Sequence, residues 1–507
     1  MSDHALELLR LHPRLAELAA FPFDFDLVRA EHGEPVRLAS GNPIRPVAGD
    51  DTGGTYFVCA DGSVLYADSE GSAGIIGSHV DEALEMLIGL PCWRDHVDLS
   101  PADGAAEISA RVAEVEEEIR EEYGIDAARA ELRGALGLSE RSPVEYVTML
   151  HTALLRTEPD FLLLNAEGGG AYQLLDRHPR PPLWEPVLAR GRADLAGLRT
   201  GERTVWDAVA VDPVRRRLVL RAAQFDRGDN DLGPLRYLLR HEARSARTEE
   251  LQLAIVLVGL HGHAEDLPLL DEIHRTDFDL SLALGGLPGS DADGAALREW
   301  ARERDGSLFG SDPSDEPLCL WTELAADQGL TELARASLIR QLDAIESDQS
   351  LLRLPGAPKA LNPSPLRTLA AGFERLGDLV QALRAQRLLT ALQDTAWGRV
   401  SARLTQARLE REAGQLGRAE RTLTGLREVL AAPGDDSSRH WRGVNLGRFV
   451  AEEHYALVRA LADAGLLEEA RAVLAAGEAI RGGLSGPAAA AVRERAAEAA
   501  ERVRGLS

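Results

Sequence analysis

The residues with the clearest chemical potential lie in a short acidic and glycine-rich stretch near the N-terminus. Asp50 and Asp51 are followed closely by Gly53 and Gly54. Carboxylates beside flexible glycines can bind a cation, but a tight turn leading into a strand selects the same residue types. The β-rich run that follows favours the turn.

Three other features could serve ligand binding, and each has a simpler interpretation. His261 and His263 lie at a predicted helix end, where they would share a metal only if their backbone were extended, so we expect a capping role. The three glycines at 168–170 could cradle a phosphate, yet no helix with lysine or serine in place follows, which favours a turn. Lys359 is the only lysine and lies in a proline-interrupted segment that predicts an exposed loop.

Recognisable catalytic motifs are absent from the sequence. It contains no Gly-x-Ser-x-Gly elbow, no His-Glu-x-x-His helix, no Walker A loop and no dinucleotide fingerprint. Cys59, Cys92 and Cys319 form no Cys-x-x-Cys pair, so neither a disulfide framework nor a zinc knuckle is predicted. We therefore expect a non-enzymatic protein that uses no cofactor and no metal.

The charge of the chain points to the class of partner. There are 82 acidic and 56 basic side chains among 507 residues, a formal net charge of −26. The first 150 residues carry −18 of this, whereas residues 351–450 are net +7. Nucleic-acid surfaces are built from basic patches, so we expect a protein partner, with a basic surface, and no nucleic acid. No apolar run approaches the length of about 18 residues needed to span a membrane, and the N-terminus lacks the pattern of a secretory signal. We therefore expect a cytoplasmic protein with no membrane partner.

The first hundred residues predict a small antiparallel sheet covered by a helix. Two β-rich runs, Thr55–Cys59 and 63–67, flank three residues that end in glycine, which is typical of a hairpin. Extended pieces at Val36–Leu38 and 44–47 are predicted to widen the same sheet. From Val80, apolar residues at helical spacing predict a helix on one face of the sheet.

The residues around this hairpin resemble a known bacterial family. Ala-Gly-Asp-Asp-Thr-Gly-Gly-Thr-Tyr-Phe at 48–57 leads into it, Val-Leu-Tyr-Ala-Asp-Ser-Glu-Gly at 64–71 ends it, and Gly-Leu-Pro-Cys-Trp-Arg-Asp follows the helix at 89–95. Together they resemble the SUKH superfamily of α+β modules, which often serve as immunity proteins against polymorphic toxins. The resemblance implies a module at 1–104 that docks on a toxin domain. The side chains of these stretches that would meet the partner are Asp50, Asp51, Asp68, Glu70, Trp93 and Asp95.

A charged helix and a small mixed connector are predicted for 105–182. Within the helix, Ile108, Val112, Val115 and Ile119 form a narrow apolar stripe, and its second half carries a run of glutamates. We expect the stripe to dock and the acidic run to face solvent; a binding epitope is the alternative. Two extended runs around the three glycines, at 161–164 and 171–174, predict a second hairpin.

From about residue 183 the sequence predicts one helix after another. Residues 183–310 indicate paired, HEAT-like helices, and 311–507 resemble tetratricopeptide repeats. Four glycines in the C-terminal half are each followed five positions later by alanine, which is typical of a turn and a close helix–helix approach. These glycines are Gly329, Gly377, Gly414 and Gly465. Their spacings of 48, 37 and 51 residues exceed the repeat length of about 34, so we expect an irregular superhelical array.

These patterns predict an α+β N-terminal module, made of an antiparallel sheet with helices, followed by a mostly α helical-repeat solenoid. Two functions are compatible with them. The first is an immunity or toxin-neutralising protein that docks an acidic surface on a protein partner such as a basic toxin domain. The second is a helical-repeat adaptor or scaffold that assembles or regulates another protein.

Overall fold

The protein is described by a computed structural model that covers residues 4–244, 248–276, 278–352, 364–432 and 441–505. Lys359, predicted to lie in an exposed loop, falls outside these ranges. The chain divides into two compact units. Unit 1 comprises Met1–Leu164 and Tyr172–Ser337, and unit 2 comprises Asn165–Ala171 and Leu338–Ser507. This division into two units does not test the four segments predicted from the sequence, which remain a prediction.

Seven short strands lie in the described part of the N-terminal region. They are β1 (Val36–Leu38), β2 (Ile44–Gly49), β3 (Thr55–Cys59), β4 (Val64–Ala67), β5 (Ser72–Gly77), β6 (Leu163–Asn165) and β7 (Gln173–Leu174). Five of them form one sheet in the order β2-β3-β4-β5-β7, and β1 pairs with β6 in a separate two-stranded sheet. Strands β3 and β4 are antiparallel, with Thr55 opposite Ala67, which confirms the first predicted hairpin.

One sequence prediction about strand pairing is wrong, because β1 does not widen the main sheet but pairs with β6. The predicted second hairpin is formed only next to its turn. There the Tyr172 amide donates to the Leu163 carbonyl and the Asn165 amide donates to the Gly170 carbonyl, both at 2.9 Å, which is antiparallel pairing. Beyond this point β7 joins β5 in a parallel pair. The open edge of β5 offers unpaired backbone groups, and pairing there satisfies them.

The helices of unit 1 make up most of the unit, and the first two precede the strands in sequence. They are α1 (His4–Leu11), α2 (Pro13–Ala20), α3 (Val80–Gly89), α4 (Ala105–Tyr123), α5 (Asp126–Leu136), α6 (Pro143–Leu155), α7 (Trp184–Arg199), α8 (Arg203–Val211), α9 (Pro213–Phe225), α10 (Leu232–Glu242), α11 (Thr248–Leu260), α12 (Leu267–His274), α13 (Phe278–Ala283), α14 (Gly294–Leu308) and α15 (Leu318–Asp327). The mixed sheet and helices at the N-terminus confirm an α+β region, followed by a mainly helical one. Among the described residues, no helix combines the length and apolarity needed to cross a membrane.

One apolar core joins the sheet to the helices up to α6. Tyr66 of the sheet, Leu84 of α3 and Tyr146 of α6 are all buried in it. The predicted stripe on α4 contributes Ile108 and Ile119 to the same core, so this helix docks as expected. The predicted boundary at residue 104 therefore lies between residues that share one core. Burial of this stripe also leaves the acidic side of α4 facing solvent.

A second core of unit 1 is built by α7 to α14, and it contains buried charges on α9. Asp212 caps α9, because its carboxylate accepts hydrogen bonds from the amides of Val214 and Arg215. Further along the helix, the buried Arg217 donates to Glu250 at 2.7 Å. A buried charge is tolerated only when it is paired in this way, so the arginines of α9 have a structural role.

The helices of unit 2 form hairpins at the predicted glycines. They are α17 (Ser364–Arg375), α18 (Leu379–Ala391), α19 (Ala396–Glu412), α20 (Leu416–Ala431), α21 (Asn445–Asp463), α22 (Leu467–Gly482), α23 (Gly486–Ala491) and α24 (Arg493–Gly505), preceded by α16 (Thr331–Leu352), which begins in unit 1. At each of the four glycines φ lies between 71° and 82°, which is the left-handed region. The alanine five positions later is fully buried in every case.

The hydrogen bonds at these four turns are the same. At Gly414, for example, the glycine amide donates to the Arg411 carbonyl at 3.0 Å, and the Gln415 amide donates to the Glu410 carbonyl at 2.8 Å. This is the Schellman ending of a helix, in which glycine adopts the left-handed conformation at no steric cost. The glycine–alanine pattern therefore marks helix–turn–helix units.

Candidate protein-binding surface

The six residues expected at a partner surface lie at two loops and a helix end of unit 1. Asp50 and Asp51 follow β2, Asp68 and Glu70 form the turn between β4 and β5, and Trp93 and Asp95 follow α3. The two loops are neighbours, because the Ser69 hydroxyl donates to the Thr52 carbonyl at 3.0 Å. Asp51, Glu70 and Asp95 are exposed, whereas Asp50 and Trp93 are 2% and 4% exposed. These last two side chains are therefore inside the protein, where a partner does not reach them.

Asp50 organises the loop from within. One carboxylate oxygen accepts hydrogen bonds from the Thr52 amide at 2.9 Å and the Gly54 amide at 2.7 Å. The other accepts from the Tyr66 hydroxyl at 2.6 Å. Burial alone would raise the pKa of Asp50, but the hydrogen bonds from Tyr66, Gly54 and Thr52 outweigh burial and lower it. Asp50 thus serves the turn, which is the interpretation that the sequence favoured over a cation site.

Glycine at position 54 follows from the same contacts. A Cβ atom there would collide with the Tyr66 hydroxyl and would come within 2.6 Å of the Asp50 carboxylate. Trp93 packs against the other side of the Tyr66 ring, edge to face, with 5.1 Å between centroids. The aspartate, glycine and tryptophan of the quoted stretches therefore surround one buried tyrosine.

Arg94 is a cation that faces the acidic side chains of this region. Its guanidinium donates to the Asp50 carboxylate at 2.8 Å and to the Tyr66 hydroxyl at 2.7 Å. It also lies 3.6 Å from the carboxylate of Asp24. One arginine thus faces two carboxylates, and it donates a hydrogen bond only to the closer one, that of Asp50. Arg94 lies in the stretch at 89–95 that carries the family resemblance, but neither it nor Asp24 was expected at the partner surface, because the two are far apart in the chain.

Asp24 is the unusual acid of the site. Its φ of 55° places it in the left-handed region, which is uncommon for a residue other than glycine. Partial burial raises the pKa of its carboxyl to about 6, and the negative charge of Asp51 adds to this effect, while Arg94 opposes it. Cys92, with a φ of 51°, is the other non-glycine residue with positive φ in the described ranges. Both strained positions therefore belong to this region.

Exposed aromatic rings lie beside these acids. Phe21 is 61% and Tyr123 is 47% exposed, and their rings meet edge to face with centroids 5.2 Å apart. The pKa of the Tyr123 hydroxyl is raised, first by its hydrogen bond to Glu122 and also by the nearby charges of Cys92 and Asp51. The aromatic pair and the acidic group are therefore adjacent. We call Phe21, Asp24, Asp51, Cys92 and Tyr123 the acidic–aromatic surface.

Metal-binding clusters and reactive thiols are the remaining candidates for chemistry in the described part of the chain. No cluster of three or more His, Cys, Asp or Glu side chains there has a geometry that could hold a metal ion. Cys59 is buried in β3, and burial raises the pKa of its thiol to about 12, so it is a poor nucleophile. Cys92 and Cys319 are free and exposed as residues, and the partial burial of their thiols raises their pKa values.

The acidic–aromatic surface thus combines loop residues of unit 1 with side chains at the ends of α2 and α4. Comparison with protein-family models, with curated proteins and with solved structures finds no match for this chain.

Proposed function

We propose that this chain is a non-enzymatic protein-binding protein that docks the acidic–aromatic surface of unit 1 on a basic protein partner. The observation that carries the proposal is the solvent-exposed Phe21–Tyr123 pair beside the carboxylates of Asp24 and Asp51. The SUKH-like stretches suggest which partner this is: a toxin domain, which the chain would neutralise as an immunity protein.

The two halves of the surface would serve different steps of binding. Aromatic side chains are frequent binding hot spots, because they bury a large area at a small entropic cost. Acids around them attract a basic partner and raise the association rate. Asp24 favours a cationic partner in particular, since the negative charge of its carboxylate is only partly compensated by Arg94 at 3.6 Å. A cationic side chain of the partner would complete that compensation.

Substitutions in the full chain test the proposal directly. The chain is co-expressed with the toxin domain encoded beside it, and complex formation is followed by pull-down and by calorimetry. Phe21→Ser and Asp51→Lys should each weaken binding by about tenfold or more, since they remove an anchor and reverse a charge. Phe278→Ser and Glu299→Lys are matched controls at exposed positions outside this surface and should leave affinity unchanged.

Charge-driven docking also predicts a salt effect. Raising the ionic strength from about 0.05 M to about 0.5 M should slow association with the native chain, because the Debye length shortens. The Asp51→Lys chain should respond less. Native-like affinity of both surface variants, or absence of protection from the toxin, would contradict the proposal.

The helical hairpins support a second candidate function, that of an adaptor or scaffold. Four turns with identical hydrogen bonding join consecutive helices, and they carry the likeness to tetratricopeptide repeats. A superhelical array of such hairpins is the finer form of this proposal. Phe449 of α21 is 43% exposed and is a suitable probe. Binding that is lost in Phe449→Ser but retained in Phe21→Ser would favour the adaptor over the immunity protein.

A further inference from the structure

The helical part of unit 1 contains a cavity of 270 Å³ at the end of α11. Its walls come from two continuous stretches of the described chain, 223–235 and 257–261. Helices α9, α10 and α11 contribute apolar side chains, which are Ala223, Leu235, Leu257 and Leu260. The loop between α9 and α10 and the turn after α11 contribute the polar groups. The cavity therefore combines an apolar wall with a few polar groups, as small-molecule sites do.

His261 is the polar group of this cavity whose role the fold does not explain. Its side chain is partly buried, and its ring makes no hydrogen bond within the described residues. Neither ring nitrogen is among the buried atoms, so both are accessible from solvent. The capping role expected from the sequence is not seen, and His263 likewise makes no side-chain capping hydrogen bond. The imidazole of His261 is therefore free to bind a molecule in the cavity.

This imidazole is neutral at pH 7. Partial burial lowers the pKa of His261 below its ordinary value, and the charges of His263 and Arg236 act in the same direction, while Asp231 and Asp266 oppose them. A neutral imidazole has one nitrogen that donates and one that accepts a hydrogen bond. It can therefore accept a hydrogen bond from a cation without repelling it.

The charged side chains of the cavity leave one negative charge uncompensated. Arg227 donates a hydrogen bond to the Asp305 carboxylate at 2.8 Å. Asp231 accepts two hydrogen bonds from Arg199, at 2.7 and 2.9 Å. Asp229 is exposed, and its carboxylate forms no ion pair within the described residues. A ligand of this cavity is therefore expected to bring a positive charge to Asp229.

Size and donor count narrow the class of cation. At about 30 Å³ of liquid volume per water molecule, the cavity has space for about nine waters, which suits a small molecule. A metal ion does not fit, because no three ligating side chains come together in the part of the chain that the structure describes. A primary ammonium group carries three donors and no acceptor. It matches the carboxylate of Asp229 and the accepting nitrogen of His261.

We propose that this cavity of unit 1 binds a small primary amine with an apolar body, whose ammonium group is bound by Asp229 and His261. The apolar part lies against the leucines of the cavity. An amine is favoured over a carboxylic acid because Arg227 already has an acidic partner, whereas Asp229 has no cation. The site shares no residue with the acidic–aromatic surface. It would make the protein a receptor for a small amine in addition to a partner for a protein.

The test uses 2-(4-fluorophenyl)ethylamine and the full chain at neutral pH, with binding followed by fluorine NMR line broadening. A Kd on the order of 1 mM is expected for a ligand of this size. Asp229→Asn should weaken binding by about fivefold, because it removes the ion pair with the ammonium group. Asp160→Asn is the matched control, since this aspartate of unit 1 is exposed and does not line the cavity.

Analogues of the amine separate charge from shape. 2-(4-Fluorophenyl)ethanol has the same body without the charge and should bind about fivefold more weakly. 4-Fluorophenylacetate has the opposite charge and should bind more weakly still. Methylamine, which has no apolar body, should not compete. Nα-acetyllysine N-methylamide presents the ammonium group of a protein side chain and should bind at least about fivefold more weakly than the amine, because its amides lose water beside the leucines.

A second pair of variants tests the histidine. His261→Phe keeps a planar ring but removes the accepting nitrogen, so it should reduce the preference for the amine over the alcohol by about threefold. His263→Phe makes the same change at an exposed position that does not line the cavity, and it should leave this preference unchanged. If His261→Phe alters the circular dichroism spectrum, Asp229→Asn decides, since Asp229 is exposed.

Four results would overturn the proposal. They are absence of amine binding up to about ten times the expected Kd, affinity for the alcohol or the acid that equals affinity for the amine, native-like affinity of Asp229→Asn, and tighter binding of the lysine analogue than of the amine. The last result would identify a protein side chain, and not a free amine, as the ligand.

Discussion

His454 of α21 offers a sharp test of how unit 2 responds to acid. The side chain is 1% exposed, and its Nδ1 atom lies 2.8 Å from the Val450 carbonyl, one turn earlier in the helix. Its Nε2 atom is buried and has no partner among the described residues. Helix α22 covers it closely, since a Cβ at Gly477 would lie 3.3 Å from the Cβ of His454. The ring is therefore held in its neutral form.

Burial lowers the pKa of His454 from 6.5 to about 4, and the nearby charge of Arg427 acts in the same direction. Between these two values the unfolded chain binds a proton that the folded chain does not. The free energy of unfolding is therefore complete above about pH 6.5 and falls as the pH drops to about 4. A shift of about 2.5 pKa units corresponds to about 3 kcal/mol.

His454→Leu should remove this loss. At pH 7 its free energy of unfolding should stay within about 1 kcal/mol of the native value, because leucine has a similar volume and the site is apolar. At pH 4 the variant should exceed the native chain by about 3 kcal/mol. Urea titrations read by hydrogen-exchange mass spectrometry of α21 peptides isolate unit 2 from unit 1. His12→Leu, at an exposed position of unit 1, is the control.

The comparison between variants is what decides this prediction. Other groups titrate between pH 7 and pH 4, but they are common to both chains and cancel in the difference. If His454→Leu loses as much stability as the native chain over this range, the neutral buried imidazole is not what makes α21 sensitive to acid.

Three further changes test other features of the fold. Asp24→Asn keeps a residue type that tolerates positive φ, but it removes a carboxyl group whose pKa is raised to about 6. It should therefore stabilise unit 1 by about 1 kcal/mol at pH 7, after allowance for the exposure of the side chain, and have no effect at pH 4, where the native carboxyl is protonated. Urea titrations at both pH values check this. Arg94→Met leaves the buried carboxylate of Asp50 without its cation and should destabilise unit 1 by about 2–3 kcal/mol in urea at pH 7, a result that full native stability would contradict. Gly414→Ala forces a side chain into φ 71° and should cost unit 2 about 1 kcal/mol, whereas Gly417→Ala, inside α20 and clear of its neighbours, should slightly raise the melting temperature.

Features with local causes could be predicted from the sequence. The presence of α4 and of the β3–β4 hairpin agrees with the prediction, because an apolar stripe and a glycine turn act over a few residues. The four glycine–alanine turns were predictable for the same reason. The pairing of β7 with β5 was not, since an edge strand accepts whichever extended segment the tertiary fold brings to it.

Most of the candidate site could not be predicted from such local patterns. The sequence indicated the acidic loop. It did not indicate that Asp50 is buried and accepts a hydrogen bond from Tyr66, 16 positions later. Arg94 reaches Asp50 across 44 positions. The contact of Phe21 with Tyr123 joins α2 to the end of α4, and neither ring belongs to a pattern that indicates exposure. Long-range contacts of this kind depend on the packing of the whole unit.

The glycine turns of the helical region have a consequence for how such a chain can change over evolutionary time. Every hydrogen bond that defines the turn at Gly414 lies within six consecutive residues, and the same holds at the three other glycines. A helix can therefore gain or lose whole turns at its far end without disturbing the place where it stops. The unequal spacings of 48, 37 and 51 residues between the glycines are what this independence permits. Insertion and deletion can reshape the length of each hairpin while the reversal of chain direction is inherited unchanged.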